Sequence, residues 1–206
     1  MTTSIVIATM VIWLLQIVPG SFVTTYLEYI PLATFIQPWR LLTSAFVHDT
    51  GNILHVGLNM YTVFIFGRIL EPMLGRLRFA ALYLTSAIGG SVGVLLLSEP
   101  TVSVVGASTA CFGLMAAYFV IARKFGANTG QLIGLIAINL AFGFLVPGIA
   151  WQGHLGGLIS GGLVAYLYTR NSNRSGNKFV QLSVAATGAG LVVFALAYAY
   201  AQGWHY

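Results

Sequence analysis

Seven long apolar runs constrain this sequence more than anything else in it. They cover about residues 3–19, 53–70, 78–97, 107–122, 131–147, 151–169 and 179–200. A helix needs about 20 apolar residues, with a range of roughly 17–25, to cross the hydrocarbon core of a bilayer. No water is available there, so a spanning chain must pair every backbone N–H and C=O internally, as helices or as a closed barrel. The runs lack the strict apolar–polar alternation of barrel strands and therefore select helices. Composition closes the soluble alternative: charged residues make up 6% of the chain, against roughly 25% in soluble domains. The expected fold class is an all-α polytopic membrane protein with no soluble domain. The first run lacks a basic leading region, so it is expected to be a first span and not a cleaved signal peptide.

Basic residues set the expected orientation. Arg68, Arg76 and Arg78 follow span two, Arg123 and Lys124 follow span four, and Arg170, Arg174 and Lys178 follow span six. Only Arg40 lies elsewhere. Loops rich in Lys and Arg face the cytoplasm, so the N-terminus is expected inside and the C-terminus outside. The net charge of +5 is thereby a topology signal and not one for nucleic acid. Tyr198, Tyr200, Trp204 and Tyr206 form an aromatic belt at the outer end of the last span. The first connection, about 20–52, reads as an amphipathic structure in the outer interface. Span four is short. At 1.5 Å per residue it covers roughly 24 Å, against a hydrocarbon core of about 30 Å. Ser108, at its outer start, would then be recessed and need a water-filled cavity above it.

Ionisable side chains within a bilayer are costly and are functional candidates by default. The histidines are His48, His55, His154 and His205; the acids are Glu28, Asp49, Glu71 and Glu99. An aspartyl protease needs two carboxylates sharing a proton, and the chain has one Asp, with its glutamates at loops or span ends. The His-Glu-x-x-His pair of a zinc protease is absent. The lone Cys111 has no polar neighbour in sequence and reads as a packing residue. No metal or cofactor is indicated. Serine and histidine remain. Ser108 begins an apolar helix, where free N–H groups and the helix dipole favour negative charge. His154 shares a helix face with Gly157 and Gly161, at i+3 and i+7, so another backbone can approach closely. If that partner is span four, His154 meets Ser108. Alone, His154 reads equally well as a packed histidine bonded to a neighbouring helix. His55 and Asn59 lie one turn apart and can donate toward an oxyanion or serve as interhelical polar contacts. Charge topology puts all three clusters at outer span ends, and acyl transfer requires a nucleophile, a base and oxyanion donors at one common depth.

Gly106-Ala107-Ser108-Thr109, the stretch from His154 through Gly157 to Gly161, His55 with Asn59, and Trp39-Arg40 together resemble the rhomboid intramembrane serine proteases. The resemblance runs from about residue 37 to 168. It implies a rhomboid-like six-helix bundle, about 3–169, with an extra seventh C-terminal transmembrane helix, about 179–200, as in some prokaryotic members. The whole of 1–206 then forms a single membrane domain, placed in a prokaryotic cell membrane. The resemblance further implies Ser108 as nucleophile, His154 as general base, and His55, Asn59 and the Ser108 N–H as oxyanion hole. Phe112 matches an aromatic that packs on the catalytic histidine, and Gly67 and Glu71 match a glycine and a glutamate near the inner end of span two, where an interfacial ion pair with a nearby arginine is an equal reading. Thr109 departs from the usual glycine, and a side chain there would narrow the site or alter its backbone. No carboxylate is placed to orient His154, so the unit reads as a dyad. Gln16 and Asn139 read as helix–helix hydrogen bonds.

The function expected is intramembrane serine endopeptidase, cleaving transmembrane segments of membrane proteins near the outer face. Its partners are transmembrane protein substrates and membrane lipid, with no nucleic acid. The alternative is a non-proteolytic rhomboid-like protein that binds membrane clients; such relatives typically lack the serine or histidine kept here. A small transporter or channel would show an internal repeat or a charged conduit, and neither is visible.

Overall fold

The computed structural model describes residues 1–170 and 178–205, and among these every regular element is helical. Arg174 and Tyr206, used above for topology and the aromatic belt, lie outside the described residues. Each apolar run forms a helix: α1, Thr2–Gln16, then, after a helical first connection, α4, Ile53–Leu74; α5, Arg76–Leu97; α6, Ser108–Lys124; α7, Gly130–Leu145; α8, Trp151–Arg170; and α9, Lys178–Ala201. The first connection holds α2, Val23–Leu27, a 3-10 turn at Pro31–Ala33 and α3, Arg40–Thr43. The chain is thus a multi-pass helical membrane protein. By length and composition α4, α5 and residues Gln181–Ala201 of α9 can each cross a bilayer, while α1 and α7 are shorter apolar helices.

Local signals account for the helix ends. Asn52 caps α4, its side chain accepting from the Leu54 N–H at 3.1 Å. Gly75, at φ +81°, ends α4 and starts α5, a left-handed conformation that glycine adopts without a Cβ penalty. Arg123 and Lys124 occupy the last turn of α6, where cations complement the dipole.

Small residues fix the packing, because lipid offers no hydrophobic drive for helices to associate and close backbone approach must supply it. α8 lies against α6 on one side and α5 on the other. A Cβ on Gly157 would overlap the Thr109 carbonyl, and one on Gly161 would overlap the backbone of Gly113. On the opposite face Gly89 and Gly93 of α5 meet Ser160, Gly156 and the Gln152 carbonyl. The backbone that approaches Gly157 and Gly161 is thus that of α6. α9 packs mainly on α5, and α1 on α4. At the end of the bundle away from Ser108, Glu71 accepts from the Met1 amine at 2.6 Å and from the Thr2 N–H at 2.7 Å, while Thr2 covers Gly67. Arg40 is buried and ties the first connection together, donating to the Glu28 and Thr25 carbonyls at 2.7 and 2.6 Å and to the Gln37 side chain.

Candidate active site

Helices α4, α6 and α8 all start at one end of the bundle, and each carries a site residue in its first turn: His55, Ser108 and His154. The helix N-termini therefore converge their free N–H groups and positive dipole ends on one region. Ser108 Oγ and His154 Nε2 are 2.9 Å apart. Phe112, one turn after Ser108, stacks on the imidazole with centroids 4.4 Å apart and planes at 16°. From the other side α7 approaches, a Cβ on Gly143 lying 3.4 Å from His154 Nδ1. The imidazole is thus stacked on an aromatic ring and lies close to the α7 backbone at Gly143. Its Nδ1 has no hydrogen-bond partner among the described residues. The Asp49 carboxylate accepts instead from the Gly51 N–H at 2.8 Å.

His55 faces the backbone just ahead of Ser108. Gly106 has φ +124°, and a Cβ there would lie 2.8 Å from His55 Nε2. Both the conformation and the approach call for glycine. The Asp49 N–H donates to His55 Nδ1 at 3.3 Å, which assigns the remaining ring proton to Nε2, on the Gly106 side. Asn59 Nδ2 donates to the His55 carbonyl at 2.8 Å and keeps a second N–H hydrogen. Cys111 is buried, as a packing residue would be, and its thiol also donates to the Asn59 carbonyl and Oδ1, both at 3.6 Å.

Two cavities meet at these residues. One, of about 570 Å³, lies among the connections and is lined by Asp49, His55, Ser108, Pro147 and His154. The other, of about 480 Å³, opens between α4 and α7 past Asn59, Phe112 and Asn139. A recessed serine with space above it was expected; the space also extends sideways. Asn139 is exposed on α7 and donates only within its own helix, to the Leu135 carbonyl at 2.8 Å, so it is not the interhelical contact expected of it. Thr109 borders the larger cavity, but its side chain is largely buried, its methyl set against Gly90 and Gly153. Gln16 makes a helix–helix hydrogen bond as expected, from α1 to Thr24 of α2, and also bonds the loop at His48. Sequence reasoning also passed over His48 and Gly143. An unpaired glycine in an apolar helix was the available signal for Gly143; a histidine in an aperiodic loop gave none for His48.

Residues 36–171 match the family model described as the Rhomboid domain, a span that contains every site residue above. The chain is 37% identical over 139 residues to RHOMBOID-like protein 6, mitochondrial, of Arabidopsis thaliana, covering 64% of this chain and 44% of that one. It is 39% identical over 131 residues to Rhomboid protease GluP of Bacillus subtilis, covering 60% and 24%. Over 185 residues it is 30% identical to Rhomboid-like protease 1 of Toxoplasma gondii, covering 84% and 62%. The chain spans less than two thirds of the length of each of these relatives.

Proposed function

The chain belongs to the rhomboid family of intramembrane serine proteases, and from that premise we propose that it is an endopeptidase that cleaves transmembrane segments by acyl transfer from Ser108. The observation that carries the reading is the 2.9 Å contact between Ser108 Oγ and His154 Nε2, with Phe112 stacked on the imidazole. That is the nucleophile–base geometry acyl transfer needs.

The steps follow from the placement of the groups. A substrate segment enters from lipid through the cavity between α4 and α7. Ser108 Oγ bonds to its carbonyl carbon while His154 Nε2 takes the hydroxyl proton. The carbonyl electrons move onto oxygen, which the Ser108 N–H, His55 Nε2–H and Asn59 Nδ2–H stabilise. The C–N bond then breaks, and the leaving amine takes the proton from His154. Water arriving through the larger cavity attacks the ester, gives a proton to His154, and the acid leaves as Ser108 regains its hydrogen. Stacking on Phe112 replaces an orienting carboxylate. Gly106, Gly157 and Gly161 support the site by letting His55 and the α6 backbone come close. In this reading the whole chain is one membrane domain, a core of α1 and α4–α8 with α9 added. The site faces outward and the N-terminus lies in the cytoplasm.

The test is cleavage of a single-span substrate in liposomes by Ser108→Ala and His154→Ala. Abolished cleavage in both, with a fluorophosphonate labelling wild type but not Ser108→Ala, supports the dyad. Undiminished proteolysis by either purified variant overturns it.

A further inference from the structure

The segment that carries Ser108 is held by the first connection, through a residue that touches neither cavity. We propose that His48 is a positioning residue for acyl transfer: its Nε2 accepts the Ala107 N–H and thereby fixes the backbone from which Ser108 and its amide project. The proposal rests on the reading of Ser108 as nucleophile.

His48 is fully buried, and its hydrogen bonds give it more than a space-filling role. Its Nε2 receives the Ala107 N–H at 3.2 Å, across 59 residues of sequence. One residue earlier, the Gly106 N–H donates to the Ser44 carbonyl at 2.9 Å. The two amides preceding Ser108 are thus both held by residues 44–48, and the next amide in the chain is that of Ser108 itself.

The main chain of His48 is clamped in turn. The Gln16 side chain donates to the His48 carbonyl at 2.9 Å and accepts from the His48 N–H at 3.0 Å. It also donates to Thr24 Oγ1 at 2.9 Å. Gln16 is buried at the last residue of α1. Displacing His48 would leave several buried polar groups unpaired, each costly in apolar surroundings. The Gln16 amide therefore anchors the loop to α1, and the loop anchors the start of α6.

The same two loop residues set the second half of the site. The His48 ring meets that of His55 edge-on, centroids 5.1 Å apart, and the next residue, Asp49, supplies the N–H that fixes the His55 tautomer. One short segment thus sets both the nucleophile backbone and the direction of an oxyanion donor. His48 lines neither cavity at the dyad, so its loss should slow the chemical step without weakening substrate binding.

An imidazole that accepts at Nε2 carries its proton on Nδ1. Nitrogen-15 NMR of wild-type protein in liposomes at neutral pH should therefore show His48 as the Nδ1–H tautomer; the Nε2–H form would overturn the proposal without reference to activity. His48→Leu should lower kcat and the rate of fluorophosphonate labelling of Ser108 together, by ten- to a hundredfold as a small misplacement does, with KM unchanged. His48→Gln, whose side-chain carbonyl can accept the Ala107 N–H, should recover most of the labelling rate. Labelling of His48→Leu at the wild-type rate overturns the proposal. So do equal losses in both variants that simply follow their unfolding temperatures. If His48→Leu does not accumulate, the tautomer and His48→Gln decide. A wild-type chain that neither cleaves nor labels would sink the protease reading instead, and the tautomer would still report on the bond to Ala107.

Discussion

The side chain of Thr109 occupies the space that a Cβ on Gly90 would need. Its methyl also lies 2.9 Å from where a Cβ on Gly153 would sit. The residue after the proposed nucleophile is therefore a knob set into a hole made by α5 and α8, at the border of the larger cavity. A threonine at this position is accommodated by glycines on the facing helices. Gly90→Ala should destabilise the fold by about 1–3 kcal/mol, the usual effect of overpacking. Combining it with Thr109→Gly should recover part of that loss, since the Gly153 carbonyl lies 3.0 Å from the same point and resists the new methyl. Unfolding midpoints in detergent for the two single variants and the double variant give the coupling, which is ~0.5–3 kcal/mol for contacting residues. Additive losses would mean that the two residues do not share this space.

The Phe112 ring restrains an imidazole whose Nδ1 has no hydrogen-bond partner among the described residues. The proposed dyad has no orienting acid, so packing would have to hold the rotamer. Phe112→Ala should lower kcat by ten- to a hundredfold, the scale of a mispositioned catalytic group. Phe112→Leu, which keeps bulk but loses the flat face, should fall between the two. Turnover and labelling of Ser108 should decline together. A loss of turnover with unchanged labelling would place the role of Phe112 elsewhere.

What could be read from the sequence divides along physical lines. The run at 53–70 became Ile53–Leu74, and the run at 107–122 became Ser108–Lys124, because a bilayer sets helix length and apolar residues report it directly. The face shared by His154, Gly157 and Gly161 pointed to a close partner, and α6 is that partner, because helical period fixes which side chains lie together. The period does not say which neighbour a side chain meets. The sequence therefore did not show where the Thr109 side chain would point or that the Cys111 thiol would meet Asn59, and Asn139 was expected to bridge helices. The link from Gln16 through His48 to Ala107 runs through an aperiodic loop and spans 32 and then 59 positions, so no local pattern in the sequence signals it.

His55, Asn59 and Gly106 separate an oxyanion site from ordinary polar contacts between helices. Interhelical hydrogen bonds average only ~0.6 kcal/mol, whereas removing an oxyanion donor costs about 10²–10³ in kcat. His55→Ala and Asn59→Ala should each lower kcat on that larger scale while shifting the unfolding midpoint little. Gly106→Ala should be comparably inactive, since φ is +124° and the added methyl would lie 2.8 Å from His55 Nε2. A change confined to stability, with kcat preserved, would assign His55 and Asn59 to packing alone.

Acid should weaken the fold through His48. Burial first, and then the neighbouring His55 ring, pull its pKa from 6.5 down to about 3, with a backbone bond to Phe46 acting in the opposite direction. The unfolded chain thus takes up this proton near pH 6.5, while the folded chain refuses it until about pH 3. Between those values the unfolded state binds more protons, so stability rises with pH there. The contribution is complete above about pH 6.5 and is lost as pH falls toward 3, at up to about 1.4 kcal/mol per pH unit. A protonated imidazole would also present an N–H to the Ala107 N–H, breaking the bond that holds the start of α6. Unfolding midpoints of wild type and His48→Gln, taken from pH 7 to pH 4, isolate this residue from His55 and Asp49 beside it. The wild-type curve should fall more steeply, and its cleavage activity should fall with it. Parallel curves would mean that His48 takes no part in the acid response.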